Sequence, residues 1–484
     1  MKVGALMINI EDQIANLIES YQEEVIQLSD RIWDIPETRF QEYESFKILS
    51  NFLERKGFKV ERGVGDIETA FTATYGDGGP VIGILGEFDA LSGLSQRAGS
   101  PVREPLIENG NGHGCGHNLL GTAGIAAALA LKDLIKEGIV KGTIKYFGCP
   151  GEEGGSGKTY MVRDGVFEGI DAALTWHPNS YSGIFSFSSL ANYQVYFSFE
   201  GKAAHAANSP HLGRSALDAV ELMNVGVNYL REHIISEAKV HYAITNSGGA
   251  SPNVVQSDAE VLYLIRAPHL KDVESIYQRV VKIAEGAALM TGTKMTVKFD
   301  KACSNYIPNH ALNVVVNEKL QYFGLPTYNE EEMAYAKAMA ATITAEEVEA
   351  AVIDAEKLSA YTVSEGFYSE ESPFFTEIIP YVKNREVMQG STDVGDVSWI
   401  VPTAQFFTTC FVAGTPLHTW QLVSQGKTTL AHKGLLNAGK VIAASAVKLL
   451  DNPHLIDEAK KELLKQVGDG YKNPLPADLR PSVI

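Results

Sequence analysis

Cysteine is scarce in this chain, with four residues among 484. So few thiols do not form the dense disulfide framework of small secreted domains, and we therefore predict a cytoplasmic protein in a reducing compartment. Basic residues are also outnumbered, 41 against 59 acidic ones, which gives a formal net charge of −18. That balance argues against nucleic acid or an anionic membrane as a partner. We find no apolar run of membrane-spanning length and no signal-peptide cleavage pattern, so we expect neither segment.

The first part of the chain alternates predicted strands with predicted helices. Strands are predicted at 69–75, 81–86, 143–148 and 171–176, and helices at 11–35, at 44–56 and directly after His117. This alternation indicates an α/β fold, in which a mostly parallel sheet carries helices on both faces. A length of 484 residues further suggests two domains with insertions.

A different pattern begins near residue 190. Strands predicted at 192–200, 240–245, 259–265 and 294–299, with helices at 215–232 and 271–290, follow the β-α-β-β-α-β order of a ferredoxin-like unit. Sheet-forming sequence then resumes, with a helix at 311–323 and a strand at 403–412. We therefore predict an outer domain made of 1–188 and 305–484, interrupted by an inserted domain at 189–304.

The second part of the outer domain contains an acidic, alanine-rich segment at 330–377. We expect this segment to be an added helical pair or cover with a solvated face. The tail that begins at Asn473 is expected to be a loose end.

The stretch 112–118 reads Gly-His-Gly-Cys-Gly-His-Asn and is followed by a run of helix formers. It brings Cys115 and His117 together at the start of a helix, where a thiolate and an imidazole suit a soft or borderline cation. A disulfide, or a buried thiol beside a structural histidine, explains these two residues equally well.

Further ligand-type residues follow predicted strands. Glu152 and Glu153 come after the strand at 143–148, His177 ends the next strand, and His418 follows the late strand. Open α/β sheets place their sites at the carboxyl ends of strands, so these side chains can meet Cys115 at one rim. Such a set exceeds the four ligands of a structural zinc and suits a two-metal site.

In this order, the Gly-Cys-Gly-His and Glu-Glu-Gly motifs, the inserted domain and the late histidine resemble the co-catalytic metallopeptidase and aminoacylase family, specifically its cysteine-containing amidohydrolase branch. The resemblance implies a zinc-exopeptidase-like fold with an inserted lid and dimerisation domain. It also implies two divalent metal ions, zinc or manganese with cobalt as a further option, and Glu152 as the general base. The implied metal ligands are Cys115, His117, Glu153, His177 and His418.

The same resemblance implies roles for residues outside the ligand set. Asp89 would orient a ligand histidine, although a turn-capping role fits it about as well. His205 of the inserted domain would stabilise the oxyanion as a catalytic residue. Asn253 and Arg266 of that domain would contact substrate, an ordinary salt bridge being the alternative for Arg266. The remaining candidates for substrate binding are Thr392 and Asp393, within the segment 390–399.

These expectations describe a hydrolase that cleaves the amide bond of an N-acyl or N-aroyl amino acid, such as p-aminobenzoyl-glutamate. A dipeptidase or N-acyl-amino-acid hydrolase of the same family, and a non-catalytic partner chain, are the alternatives. The resemblance implies a homodimer or a heteromer with an A-type subunit. The presence of all the ligand-type residues together with Glu152 speaks against the non-catalytic alternative.

Overall fold

The computed structural model describes residues 9–384, 386–468 and 470–483. Its strands are β1 (Lys59–Arg62), β2 (Phe71–Gly76), β3 (Val81–Glu87), β4 (Thr143–Cys149), β5 (Ala172–Asn179), β6 (Gly183–Ile184), β7 (Ala191–Glu200), β8 (Lys239–Asn246), β9 (Asp258–Ala267), β10 (Lys294–Cys303) and β11 (Thr403–Thr409). Its α-helices are α1 (Ile10–Ser20), α2 (Gln22–Trp33), α3 (Tyr43–Arg55), α4 (His117–Lys136), α5 (Glu152–Gly155), α6 (Gly157–Arg163), α7 (Ala216–Leu230), α8 (Leu270–Thr291), α9 (His310–Phe323), α10 (Glu330–Ala340), α11 (Ala345–Leu358), α12 (Val394–Ile400), α13 (Trp420–Gln425), α14 (Thr429–Asp451) and α15 (Pro453–Val467).

The larger sheet has seven strands in the order β1-β2-β4-β3-β5-β11-β6. Its four central strands, β4, β3, β5 and β11, run parallel to one another. The strands at both edges pair antiparallel. Consecutive residues of β3 enter different apolar clusters, Ile84 on one face and Leu85 on the other. Both faces are therefore covered, as expected for parallel strands with apolar sequences, and the predicted fold class is confirmed.

The smaller sheet has four strands in the order β10-β7-β9-β8, and every neighbouring pair is antiparallel. Alternate residues of β9 are buried because α7 and α8 pack against one face of the sheet. The chain order β7-α7-β8-β9-α8-β10 is that of the ferredoxin-like unit, which confirms this part of the fold prediction.

Several sequence-based boundaries were wrong. The helix predicted at 11–35 is two helices that meet at Tyr21. Strand β5 continues to Asn179, so His177 lies inside it, whereas β11 already ends at Thr409. The tail is not loose: the Asn473 side chain donates hydrogen bonds to the Thr159 carbonyl and the Tyr471 hydroxyl, which fixes this segment to α6.

Helix α4 corrects the expectation about apolar runs. In the described part of the chain it is the one helix whose length and mean hydropathy, 1.4, would suit a membrane span. Its apolar window is 83% buried inside the protein, packed against α2, α14 and β3. The glycines and alanines of α4 permit this close packing, so its composition is that of a core helix.

The acidic segment contains the expected helical pair, α10 and α11. Each helix begins with a capping box, Asn329 with Glu332 and Thr344 with Glu347, in which side chain and backbone bond reciprocally. One side of α10 is buried, because Met339 packs in a small apolar cluster with residues of the outer domain. The pair is therefore anchored to the body of the protein.

Candidate metal centre and active site

The loop before α4 sets the direction of two donor side chains. Gly116 has φ of 76°, a left-handed conformation, and forms the N-cap of α4. Its Cβ position would lie 2.8 Å from Pro178, so a larger residue would collide with β5 as well as strain the backbone. This tight turn places Cys115 just before the helix and His117 at its first residue.

A second strained turn positions His418. This residue also has a left-handed backbone, with φ of 61°, which is uncommon for a residue with a side chain. Its backbone N–H donates to the Gly114 carbonyl at 2.7 Å. The late loop is therefore fixed directly to the cysteine loop, although 303 residues separate Cys115 from His418 in the chain.

Five donor side chains meet in one cluster. The Cys115 Sγ lies 3.3 Å from His177 Nε2, the His418 Nε2 lies 3.3 Å from Glu153 Oε2, and the His117 Nε2 lies 3.9 Å from Glu153 Oε1. Two sets of donors have ligand atoms within 4.8 Å of one another: Cys115 with His117 and His177, and Cys115 with Glu153 and His418. The Cys115 sulfur belongs to both sets, as a thiolate shared between two cations would.

The hydrogen bonding of the cluster fits cations. The Nε2 of His117 and the Oε1 of Glu153 are buried and have no hydrogen-bond partner. Buried polar atoms are rarely left unpaired, so a ligand is the expected partner of both. A thiolate, imidazoles and a carboxylate suit zinc and related divalent metals.

Electrostatics point the same way. Burial, together with the charge of Glu153, raises the pKa of Cys115 well above its usual value, so a thiolate here needs a neighbouring cation. Burial opposes ionisation of Glu153, but the hydrogen bond from His418 and the charge of His117 lower its pKa to about 2. Burial and the charge of His117 lower the pKa of His177 to about 4, which keeps its imidazole neutral and able to ligate.

Asp89 orients the cluster from behind. Its Oδ1 accepts a hydrogen bond from His117 Nδ1 at 2.9 Å, and its Oδ2 accepts one from the Glu153 backbone N–H at 2.9 Å. The first bond leaves the Nε2 of His117 free to face the other donors. The imidazole of His177 is oriented in the same way by the Pro178 carbonyl, 2.9 Å from its Nδ1. These contacts match the orienting role considered for Asp89.

Glu152 lies beside the donors at the start of α5. It forms a third close group of potential ligands with Glu87 and His117. Burial raises the pKa of Glu152 well above its usual value, and the charges of Glu87 and Asp393 add to this effect. A carboxyl with a raised pKa beside a metal centre suits proton transfer.

Sequence reasoning missed Lys158. Its side chain is fully buried, and its Nζ lies 2.5 Å from Glu87 Oε1 and 2.5 Å from Asp393 Oδ1. Its backbone N–H donates to the other oxygen of Asp393 at 2.8 Å. A lysine within the small and apolar run 155–162 is a signal that could have indicated burial with an acidic partner.

This geometry changes the expectation for Asp393. Both of its carboxylate oxygens bond to Lys158, so the contact that the structure gives Asp393 is with that lysine. The neighbouring Thr392 is half-buried, and its hydroxyl accepts from the Val394 backbone N–H at 3.3 Å.

The candidates of the smaller sheet lie apart from the donors. His205 and Asn253 are exposed neighbours, joined by a backbone hydrogen bond from Ala206 to Asn253. Among the described residues, no hydrogen bond or ion pair joins them to the Cys115 cluster. Arg266 on β9 is half-buried, and its Nε has no hydrogen-bond partner. No ion pair of Arg266 occurs in the described ranges, so the salt-bridge alternative is not found.

Comparisons with known proteins agree with this fold and this cluster. The family model described as peptidase family M20/M25/M40 matches residues 83–409. The chain is 53% identical over 475 residues to a subunit of p-aminobenzoyl-glutamate hydrolase from Escherichia coli (strain K12), covering 97% of this chain and 98% of that protein. It is 27% identical to a Xaa-Arg dipeptidase of Mus musculus, covering 94% of this chain and 92% of that protein.

A solved structure shares the fold at low sequence identity. It is a dinuclear metal binding peptidase of the M20 family from Bacillus subtilis, with a TM-score of 0.54 and 17% identity over 90% of this chain and 99% of that one. The match to the family model spans most of the chain, and the Escherichia coli relative covers nearly all of it. This chain therefore belongs to peptidase family M20/M25/M40 and is a hydrolase of amide bonds.

Proposed function

We propose that the protein is a di-metal amidohydrolase that cleaves N-acyl or N-aroyl amino acids, with p-aminobenzoyl-glutamate or a similar conjugate as substrate. The observation that carries the proposal is the pair of donor sets that share the Cys115 sulfur. The substrate class is supported by the printed name of the Escherichia coli relative, which is 53% identical to this chain.

The cluster provides ligands for both ions. Cys115, His117 and His177 would hold one, and Cys115, Glu153 and His418 the other, with zinc or manganese the expected metal and cobalt a further option. When bound, such ions lower the pKa of water and polarise the scissile carbonyl.

The protein side chains around the ions would move the protons. Glu152 accepts a proton from the attacking water and passes it to the leaving nitrogen, which is the work of a general base and then a general acid. Asp89 keeps His117 in the tautomer that ligates through Nε2. His205 would donate a hydrogen bond to the developing oxyanion, which requires the smaller sheet, or that of a second copy, to approach the metal centre.

Substrate contacts are proposed for the smaller sheet and for Thr392. Arg266 has a planar guanidinium with no ion pair in the described ranges, and it suits the free carboxylate of the amino-acid portion. Asn253 would supply a neutral hydrogen bond near the same group. Asp393 would act indirectly, by fixing Lys158 beside Glu87.

The test separates chemistry from metal binding. In a metal-reconstituted activity screen over N-acyl glutamates, N-acyl aspartates and simple dipeptides, the unmodified chain should turn over at least one class. Glu152→Gln should retain about two ions per chain, measured by elemental analysis, and lose turnover. Glu153→Ala should lose metal as well as turnover. An active Glu152→Gln variant would contradict the assignment of the general base.

A dipeptidase is the second candidate, because the Mus musculus relative named Xaa-Arg dipeptidase covers 94% of this chain. Hydrolysis of dipeptides in preference to N-aroyl amino acids would favour it. A non-catalytic partner chain would bind few ions and remain inactive in the same screen.

The assembly and the domain division are further proposals. We propose a homodimer or a heteromer with an A-type subunit, since the Escherichia coli relative is named as one part of a hydrolase with more than one kind of chain. A cytoplasmic location and the boundaries 1–188, 189–304 and 305–484, with the helical insert at 330–377, stay predictions. Size measurement of the isolated chain, alone and with a candidate partner, tests the assembly.

A further inference from the structure

A cleft opens beside the metal centre on the side away from the smaller sheet's candidates. It has a volume of about 690 Å³ and is lined by residues of the loop 93–109 and by the segment 418–421. One wall is His418, whose imidazole contacts Glu153 in the donor cluster. A group attached to an amide held at the metals can therefore enter this cleft, whose size is that of a small-molecule site.

The loop that forms the outer wall is held by its own hydrogen bonds. Leu91 and Gly112 exchange backbone hydrogen bonds at its base, and the Ser95 hydroxyl accepts from the Ile107 backbone. The Ser424 hydroxyl of α13 donates to the Ser100 carbonyl at 2.7 Å, which ties the loop to the helix after His418. The wall is thus preformed, so its side chains can select a ligand at low ordering cost.

The cleft contains an arginine without a protein partner. Arg97 of the same loop is paired with Glu104, its Nε 2.9 Å from the carboxylate. Arg103 lines the cleft and, in the ranges that the structure describes, forms no ion pair. Glu108 also lines the cleft, yet no ion pair joins it to Arg103. A guanidinium in this position is available to an incoming carboxylate.

The charge around the metal centre makes such a cation useful. Glu87, Glu152 and Asp393 surround the donors, and the net charge of the chain is −18. A substrate with two carboxylates is repelled by these groups and needs cations at its binding positions. Leu94, Ile107 and Trp420 add apolar surface to the same cleft, suited to methylene groups or a ring.

We propose that Arg103 binds the side-chain carboxylate of the substrate's amino-acid portion, so that this cleft selects N-aroyl glutamate or aspartate over neutral amino-acid conjugates. The inference rests on the proposed amidohydrolase function and adds the residue that determines its specificity. A bidentate guanidinium contact explains preference for a carboxylate over the isosteric amide.

The experiment compares p-aminobenzoyl-glutamate with p-aminobenzoyl-glutamine, which differ only at the side-chain carboxylate. Equilibrium binding and kcat/KM are measured on the metal-loaded chain, on Arg103→Met and on the matched control Arg97→Met. The unmodified chain should prefer the glutamate compound by about 10- to 100-fold. Arg103→Met should remove that preference by weakening glutamate binding alone, whereas Arg97→Met should retain it.

The outcomes separate this inference from the proposed function. Equal binding of the two compounds by the unmodified chain, including no binding of either, overturns the role of Arg103. An equal loss for both compounds in Arg103→Met overturns it too, because a structural defect would have that effect. Selective binding of the glutamate compound that Arg103→Met abolishes, without any hydrolysis, supports Arg103 and contradicts the proposed reaction.

Discussion

Lys158 is the residue whose replacement should be most damaging outside the donor cluster. Its ammonium is fully buried between Glu87 and Asp393, 2.5 Å from an oxygen of each. Burial opposes the charge of Lys158, but Asp393 and Glu87 outweigh it and raise its pKa well above the usual value. Lys158→Met keeps an unbranched chain of similar bulk and removes only the positive end.

The expected loss is large because two carboxylates are left behind. Breaking a buried ion pair by removing one partner costs about 3–5 kcal/mol of the free energy of unfolding, since the remaining charge stays desolvated. The two side chains of Glu87 and Asp393 are almost completely buried, at 3% and 1% exposure, so water cannot replace the ammonium. We expect a loss in this range at pH 7 and a smaller one at pH 5, where the carboxylates can take up protons.

Urea unfolding followed by circular dichroism, with a chelator present to remove metal linkage, measures this loss. The control is Lys47→Met, which removes an exposed pair with Glu44 at 2.7 Å, the two side chains being 57% and 56% exposed. Such surface pairs contribute about 0–1 kcal/mol. A Lys158→Met variant as stable as the control at pH 7 would refute the reasoning, because it would mean that the buried carboxylates need no counter-charge.

Three further predictions concern the donors and their surroundings. Cys115→Ser should weaken retention of both ions after dialysis, because the sulfur belongs to both donor sets; Cys410→Ser, a buried thiol outside them, should retain both ions. Asp89→Asn should lower metal affinity about 10- to 100-fold in a chelator competition, and unchanged affinity would argue against its orienting role. Burial and the charge of Asp89 raise the pKa of Glu42 to about 8, so its contribution to stability is complete below its usual pKa of 4.5 and is lost as pH rises through 8. Glu42→Gln in chelator should therefore show a smaller decline in urea midpoint between pH 5 and 8.5, and an equal decline would refute the assignment.

The fold was predictable because its two sheets leave different patterns. Parallel central strands such as β3 and β4 are short apolar runs separated by helices, and β9 alternates because one face is covered. The errors came from local effects that periodicity does not report. Tyr21 ends α1 without interrupting the apolar pattern, so two helices were predicted as one.

The donor cluster was predictable for a topological reason. Cys115, Glu153 and His418 each follow or adjoin a central strand, and parallel strands bring their carboxyl ends to one rim. The surrounding residues do not share this rule. Lys158 lies within α6 and Arg103 in a long loop, and their environments depend on packing between segments distant in sequence. Charge pairing across such distances leaves no spacing pattern to detect.

The arrangement of charge explains why the donor cluster and Lys158 belong together. Glu87 lies between them, with one oxygen 2.5 Å from Lys158 and the other 3.3 Å from His117 Nε2. A single buried ammonium cannot balance Glu87, Asp393 and the donors, and Cys115 cannot ionise without a further cation. Divalent ions in the donor sets would supply that positive charge, and any ligand that binds only the folded state stabilises it. The carboxylates that make the apo site unfavourable are thus the feature that links metal binding to the stability of the fold.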